Sequence, residues 1–313
     1  MLKYFLLKTS TFLSIPLALM LFIGATFPPT PRASTSLLFA KIDKDKLLKE
    51  SPSPRLIMIG GSNLSFGINS QMIKDALDLN PINTGIHADI GLKYMMDDVL
   101  EHIKPGDILV MAPEYQHFYG TYAYGRHSLL ITVVDVDRDS LNNLSAKQWL
   151  DILPFFPKFS FSKLKPSEYF FQQSKKIGVY ERRSFNQYGD VDIHWSHPGK
   201  KVRPNDKFND NINENLIQEM VEFREKVSQK GAILYLTFPG YQKASFDKNK
   251  EEIYKIEKKL SQNNFLLLGY PERYKIPNNM MYNTPYHLNK EGVDLRTQRL
   301  IEDLSQAINK NEP

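Results

Sequence analysis

The chain has 313 residues, 42% hydrophobic and 24% charged, which is the balance of a folded globular protein and excludes disorder as the main state. Lys plus Arg number 40 against 35 for Asp plus Glu, and a net charge of +5 is too small a bias to specify nucleic acid. The absence of cysteine excludes disulfide scaffolds, thiolate metal sites and thiol nucleophiles, and it suits an oxidising compartment.

The first element is an apolar run. Residues 9–31 carry no charge, Lys3 and Lys8 precede them, and Arg32 is the next charge. About 20 apolar residues span a bilayer, and flanking lysines hold that end in the cytoplasm. A signal-peptide cut after Ala25 would place Ile23 at −3, where a small residue is required, so residues 1–31 read as a retained signal anchor. Pro28, Pro29 and Pro31 stop the helix, residues 32–44 read as a spacer, and 45–313 as a domain outside the cytoplasm.

Within that domain, Arg55–Ile59 is an apolar run ended by Gly60-Gly61 and predicts a buried strand. Ser70–Leu79 has helical spacing, a short strand leads to Asn83-Thr84-Gly85, and Leu92–Ile103 predicts a helix. A strand follows at Ile108–Met111. Later come a helix at 215–229, a strand at 232–238, a helix at 248–260, a strand at 265–268 and a closing helix at 290–310. Strands alternating with helices predict an α/β fold with a parallel sheet covered on both faces. Residues 119–212, rich in aromatics and prolines, interrupt this rhythm and read as an insertion or lid on one edge of the sheet.

Two positions carry the candidate chemistry. Gly60-Gly61-Ser62-Asn63 lifts a serine to a strand tip with its N–H at a helix start, which suits a nucleophile and its oxyanion, although the same turn is also ordinary loop chemistry. A phosphate loop is disfavoured because no lysine follows the glycines. His287 precedes the closing helix, where the chain returns to the sheet, and can act as general base there. Asp190, Asp192 and His194 alternate, but no fourth ligand stands near them, so a structural or substrate-edge role is preferred to a metal. His87 and Asp89 also alternate and can line the site or pack a polar turn. The aromatics of Tyr115–His127 suit either stacking on sugar faces or a packed lid. Arg182, Arg183, Lys200, Lys201 and Arg203 can meet acidic polymers or remain loose surface charge.

Gly61-Ser62-Asn63, Asn83-Thr84-Gly85 and His287, in this order and placement, resemble the SGNH (GDSL-type) hydrolase superfamily. The segments NLSFGIN, NTGIHADIGLKYM, EYQHF, RRSFNQYGD and YHLNKEGVDLRT further resemble membrane-anchored bacterial SGNH-like proteins akin to cell-envelope O-acetyl and D-alanyl transfer proteins. The resemblance covers roughly residues 45–310. It implies a three-layer, flavodoxin-like sheet on a single-pass protein of the bacterial cytoplasmic membrane, with its domain periplasmic or extracytoplasmic. The implied activity is ester hydrolysis or acyl transfer, through a Ser62 acyl-enzyme, on a cell-envelope or exported polysaccharide. No cofactor, metal or nucleic acid is implied, and a multispanning membrane protein is the implied acyl donor.

By the same resemblance Ser62 is the nucleophile, the Ser62 and Gly85 N–H groups are the oxyanion donors, and His287 is the base. Asn63, His87, Tyr115 and Tyr286 are the expected substrate contacts. Two positions depart from the pattern. Glu114 stands where an asparagine amide would complete the oxyanion hole, and Asn283 where an aspartate would orient His287. Asparagine stabilises imidazolium poorly, and the equivalent loss in a serine protease costs about 10⁴ in turnover. Glu114 acting as the missing acid behind His287 would explain both departures. A catalytically inactive protein that keeps the cleft to bind glycan or an assembly partner is the alternative.

Overall fold

The computed structural model describes residues 2–208 and 211–311, so Met1 of the anchor, two residues of the insertion and the last two of the chain lie outside it. The amino-terminal helix α1 (Leu2–Thr26) is long and apolar enough to cross a membrane. The expected spacer is not a free linker. Residues 33–40 form two 3₁₀ turns that bury Leu38 and Phe39, and helix α2 (Lys41–Glu50) begins inside the predicted spacer.

Strand β1 (Arg55–Gly60) is buried along its whole length, and β3 (Ile108–Ala112) and β4 (Ile233–Thr237) are buried in all but their first residue. Continuous apolar runs of this kind belong to parallel strands covered on both faces. With β2 (Asn80–Asn83) and β6 (Leu266–Leu268) they form one five-stranded parallel sheet in the order β2-β1-β3-β4-β6. Pairing runs from Ile57 opposite Ile82 to Leu236 opposite Leu267. Two-residue strands β5 (Tyr241–Gln242) and β7 (Lys275–Ile276) pair apart from it, as do β8 (Met281–Thr284) and β9 (His287–Leu288).

Short helix α3 (Ser62–Ser65) and α4 (Ser70–Leu77) connect β1 to β2, and α5 (Leu92–Leu100) connects β2 to β3, ending three residues before the predicted limit. Four short helices lie in the insertion: α6 (His127–Ile131), α7 (Ala146–Ile152), α8 (Phe156–Ser162) and α9 (Pro166–Tyr169). Then come α10 (Glu214–Gln229), α11 (Lys243–Lys248), α12 (Lys250–Gln262) and the closing α13 (Lys290–Asn311). The helix predicted at 248–260 is α12, starting two residues later; α11 precedes it and ends at Lys248, and between them the Asn249 side chain accepts from the Phe208 N–H and donates to the Ser245 carbonyl. Helices α4 and α13 pack together on one face and α5 with α10 on the other. In such an order the winding reverses between β1 and β3, and the crevice beyond their carboxyl ends is where ligands bind.

The insertion has a closed neck. Tyr119 and Ile212 form a bridge, and the Asn213 N–H donates to the Phe118 carbonyl at 2.8 Å. From that neck one limb reaches α1 and the other runs past the carboxyl ends of β1 and β2.

Candidate functional site

Gly61 turns the chain from β1 into α3 and has no room for a side chain, because a Cβ there would meet both Ala88 and Glu114 Oε1 at 2.9 Å. Ser62, the first residue of α3, is half-buried on the wall of a cleft of about 440 Å³. Glu114, just past β3, Tyr286 and His287 line the same cleft, with Leu37 from the supposed spacer and Tyr180 from the insertion. The structure therefore brings Ser62, Glu114, His87, Tyr286 and His287 together.

Glu114 is fully enclosed. Its Oε1 accepts from Ser62 Oγ at 3.4 Å and from the Asn63 N–H at 3.2 Å, and its Oε2 accepts from Gln116 Nε2 at 3.1 Å. Burial raises its carboxyl to about 7, opposed by the bonds from Asn63 and Ser62. Behind it His117 accepts from the Glu114 N–H at Nδ1, so Nε2 carries the proton it donates to the Ala88 carbonyl. Glu114 thus contacts the serine and not the histidine, which corrects the expectation that it orients His287.

His287 has another partner. Its Nδ1 lies 2.8 Å from Asn283 Oδ1, and Asn283 Nδ2 donates to Tyr180 Oη at 2.6 Å. The second bond fixes the amide, so Nδ1 carries the hydrogen and Nε2 keeps its lone pair. The ring stacks on Phe66 with centroids 4.2 Å apart. Burial first, then the neighbouring His194 and His87, lowers its pKa to about 3. Among the described residues no hydrogen bond joins His287 to Ser62.

Three expected contacts are corrected. The Gly85 N–H donates to Asn83 Oδ1 at 3.0 Å and its carbonyl accepts from Ser65 Oγ at 2.6 Å, so Gly85 has no free donor for an oxyanion. Asn63 is fully buried, donating to the Ala112 carbonyl at 3.0 Å, and does not line the cleft. Tyr115 is buried behind the wall, edge-on to Tyr241, and only its N–H reaches a cleft residue, donating to Tyr286 Oη at 3.1 Å. The Ser62 N–H, at the start of α3, is the expected donor left without a partner among the described residues.

Arg296 was not anticipated as part of the site. It is wholly buried on α13, donates to the Asn63 carbonyl and, at 2.9 Å, to Asn63 Oδ1, and so clamps α3 from below. A signal for it exists in the sequence: Val293, Arg296, Leu300 and Leu304 form one buried helical stripe, and an arginine in such a stripe needs a reason. Tyr180, the lock on Asn283, sits in a stretch with no periodicity and gives no such signal.

The remaining candidates have structural roles. Asp190 bonds the Ser70 N–H and hydroxyl and Asn83 Nδ2, Asp192 accepts from Asn186, and His194 Nε2 meets the Leu288 carbonyl. Among the described residues no three His, Asp or Glu stand together as a metal site. His87 accepts the Asp89 N–H at Nδ1 while lining the cleft, and Tyr122 lines it beside Gln116. Arg182 pairs with Asp43 and Arg183 with Glu181, so neither is loose charge. Set beside known proteins, the sequence matches no family model and no curated protein.

Proposed function

We propose that the protein is an SGNH-like serine esterase or acyltransferase of the cell envelope, acting on an acylated polysaccharide through a Ser62 acyl-enzyme. The observation that supports this reading is a half-exposed serine, at the switch point of the sheet, in contact with a carboxyl that titrates near neutrality. Ser62 Oγ attacks the acyl carbonyl and gives its proton to ionised Glu114. The carboxyl is therefore neutral when the oxyanion forms, and the repulsion expected of a glutamate at that place disappears. The C–O bond to the donor alcohol then breaks, and that alcohol leaves with the proton from Glu114. His287, with Nε2 unprotonated, takes the proton of the incoming water or sugar hydroxyl as it attacks the Ser62 ester, and returns it to the departing Oγ. The cleft has room for an acyl group and one sugar ring. On this reading α1 tethers the domain outside the cytoplasm, near membrane-bound polymer, with a multispanning membrane protein as the acyl donor.

A fluorophosphonate probe tests it: the parent chain is expected to label covalently and Ser62→Ala is not. The second reading, a glycan-binding or assembly protein without catalysis, is favoured by the missing Ser62–His287 bond and the occupied Gly85 N–H. It prevails if neither chain labels.

A further inference from the structure

We propose that helices α7, α8 and α9 form a collar that rests on the lipid surface around the exit of α1, with its exposed apolar side chains at the boundary between acyl chains and headgroups. The inference extends the reading of α1 as a membrane anchor.

The collar grips the last turns of that helix. A Cβ on Gly24 would come within 2.6 Å of Ser160 Oγ and 2.8 Å of the Phe156 ring, so α8 packs directly on the α1 backbone. Ser160 Oγ donates to the Met20 carbonyl at 2.7 Å. Lys163 Nζ donates to the carbonyls of Gly24 and Phe27 at 3.1 and 2.6 Å, satisfying the open carboxyl end of α1, and pairs with Asp135 at 2.7 Å. Beyond the helix, the Arg32 N–H donates to the Glu168 carbonyl at 3.2 Å and Thr30 Oγ1 to its carboxylate at 3.3 Å.

These contacts fix the collar's depth. From Lys8, the last charge before the apolar run, to Thr26 at the end of α1 an α-helix rises about 27 Å, close to the ~30 Å hydrocarbon thickness of a bilayer. The carboxyl end of α1 therefore reaches the interface, and α8, bound to the carbonyls of Met20, Gly24 and Phe27, lies at and just below that level. Its outer surface suits the place. Leu150 is 69% exposed, Phe161 52% and Phe170 87%, values that water would penalise. Lys158, Lys165, Lys175 and Lys176 stand exposed among them, a composition that favours anionic headgroups over a purely apolar partner.

Because the chain has no cysteine, single-cysteine variants of the full chain can carry an environment-sensitive fluorophore. Phe161→Cys, Phe170→Cys, Phe12→Cys in α1 and Lys258→Cys on α12 would be placed one copy per phosphatidylcholine–phosphatidylglycerol nanodisc, with spin-labelled lipids as quenchers. Labels at 161 and 170 are expected to be quenched at least about twofold more than at 258, most by lipids labelled near the headgroup. The label at 12 is expected to be quenched by acyl-chain labels well above the level seen at 258. Quenching at 161 and 170 equal to that at 258, with 12 quenched, overturns the collar alone. Absence of quenching at 12 overturns the anchor and the collar together. Leu164→Cys, also exposed on the collar, replaces either variant that fails to fold.

Discussion

Ser62 and Glu114 stand at the ends of neighbouring strands of the central sheet, whereas His287 and Asn283 stand on a two-stranded hairpin held by the insertion through Tyr180. The two walls of the cleft are built from opposite electrostatics. On the sheet side a buried carboxyl is raised to about 7, and on the hairpin side a buried imidazole is lowered to about 3. Near neutral pH the group that changes charge in the cleft is therefore the glutamate and not the histidine. Burial opposes charge on both walls, and behind the sheet wall stands a cation, Arg296, whose charge interacts with that of Glu114.

The largest effect expected from breaking this contrast is at Arg296. Arg296→Ala removes the clamp on Asn63 and leaves a cavity and an unpaired carbonyl, so the detergent-solubilised chain should lose roughly 3–5 kcal/mol of stability by thermal unfolding. Fluorophosphonate labelling at Ser62 should fall with it at temperatures where the variant remains folded. Arg296→Lys, which keeps the charge and loses the fork, should lie between. A Arg296→Ala chain as stable as the parent would mean that α3 holds the serine unaided.

Glu114→Gln separates the walls by pH. Below pH ~4.5 the carboxyl is protonated in both the unfolded and the folded chain and costs nothing. As pH rises from there to about 7 the unfolded chain ionises first, and the parent loses about 3 kcal/mol that the glutamine variant keeps. The stability advantage of Glu114→Gln should therefore grow over that window and be constant above it. Parent labelling, a property of the folded chain, should rise around pH 7 where the folded carboxyl ionises, and the variant should stay low and flat. An advantage independent of pH would place the ionised carboxylate in the folded chain throughout, and a neutral Glu114 would have to be abandoned. The hairpin wall has the opposite sign: with His287 lowered from 6.5 to about 3, stability is lost as pH falls below 6.5.

The unequal legibility of the two walls in the sequence has the same origin as their construction. The sheet wall follows from local rules: apolar runs gave β1, β3 and β4, and a glycine pair marked the turn that presents Ser62. His287 could be placed because it precedes a long amphipathic helix. What the sequence hid depends on which side chain reaches which backbone atom across long separations. Asn83 takes the Gly85 N–H only once Asp190, 107 residues on, fixes its amide. Leu37 lines the cleft because the residues expected to be a spacer pack as two turns between the insertion and the core. The grip of Lys163 on α1 joins segments 136 residues apart with no periodic signal in either.

The smallest effects expected lie on the hairpin wall. Asn283→Asp restores a carboxylate behind His287, raises the basicity of Nε2 and should speed breakdown of the Ser62 ester, read as turnover of an acyl ester, about tenfold, well short of the roughly 10⁴ that separates aspartate from asparagine in a serine protease. The shortfall follows from the geometry, since Ser62 touches Glu114 and only the deacylation half of the proton transfer depends on the imidazole. Tyr180→Phe removes the acceptor that fixes the Asn283 amide, and an amide free to turn can present Nδ2 to the ring and move its proton to Nε2. That should slow ester turnover a few-fold and leave labelling unchanged. A carboxylate presents oxygen whichever way it turns, so Tyr180→Phe should cost almost nothing once Asn283→Asp is in place, and the two changes should couple in a double-mutant cycle. If Tyr180→Phe costs as much in that background as in the parent, Tyr180 acts as a wall of the cleft and not as the lock on its histidine.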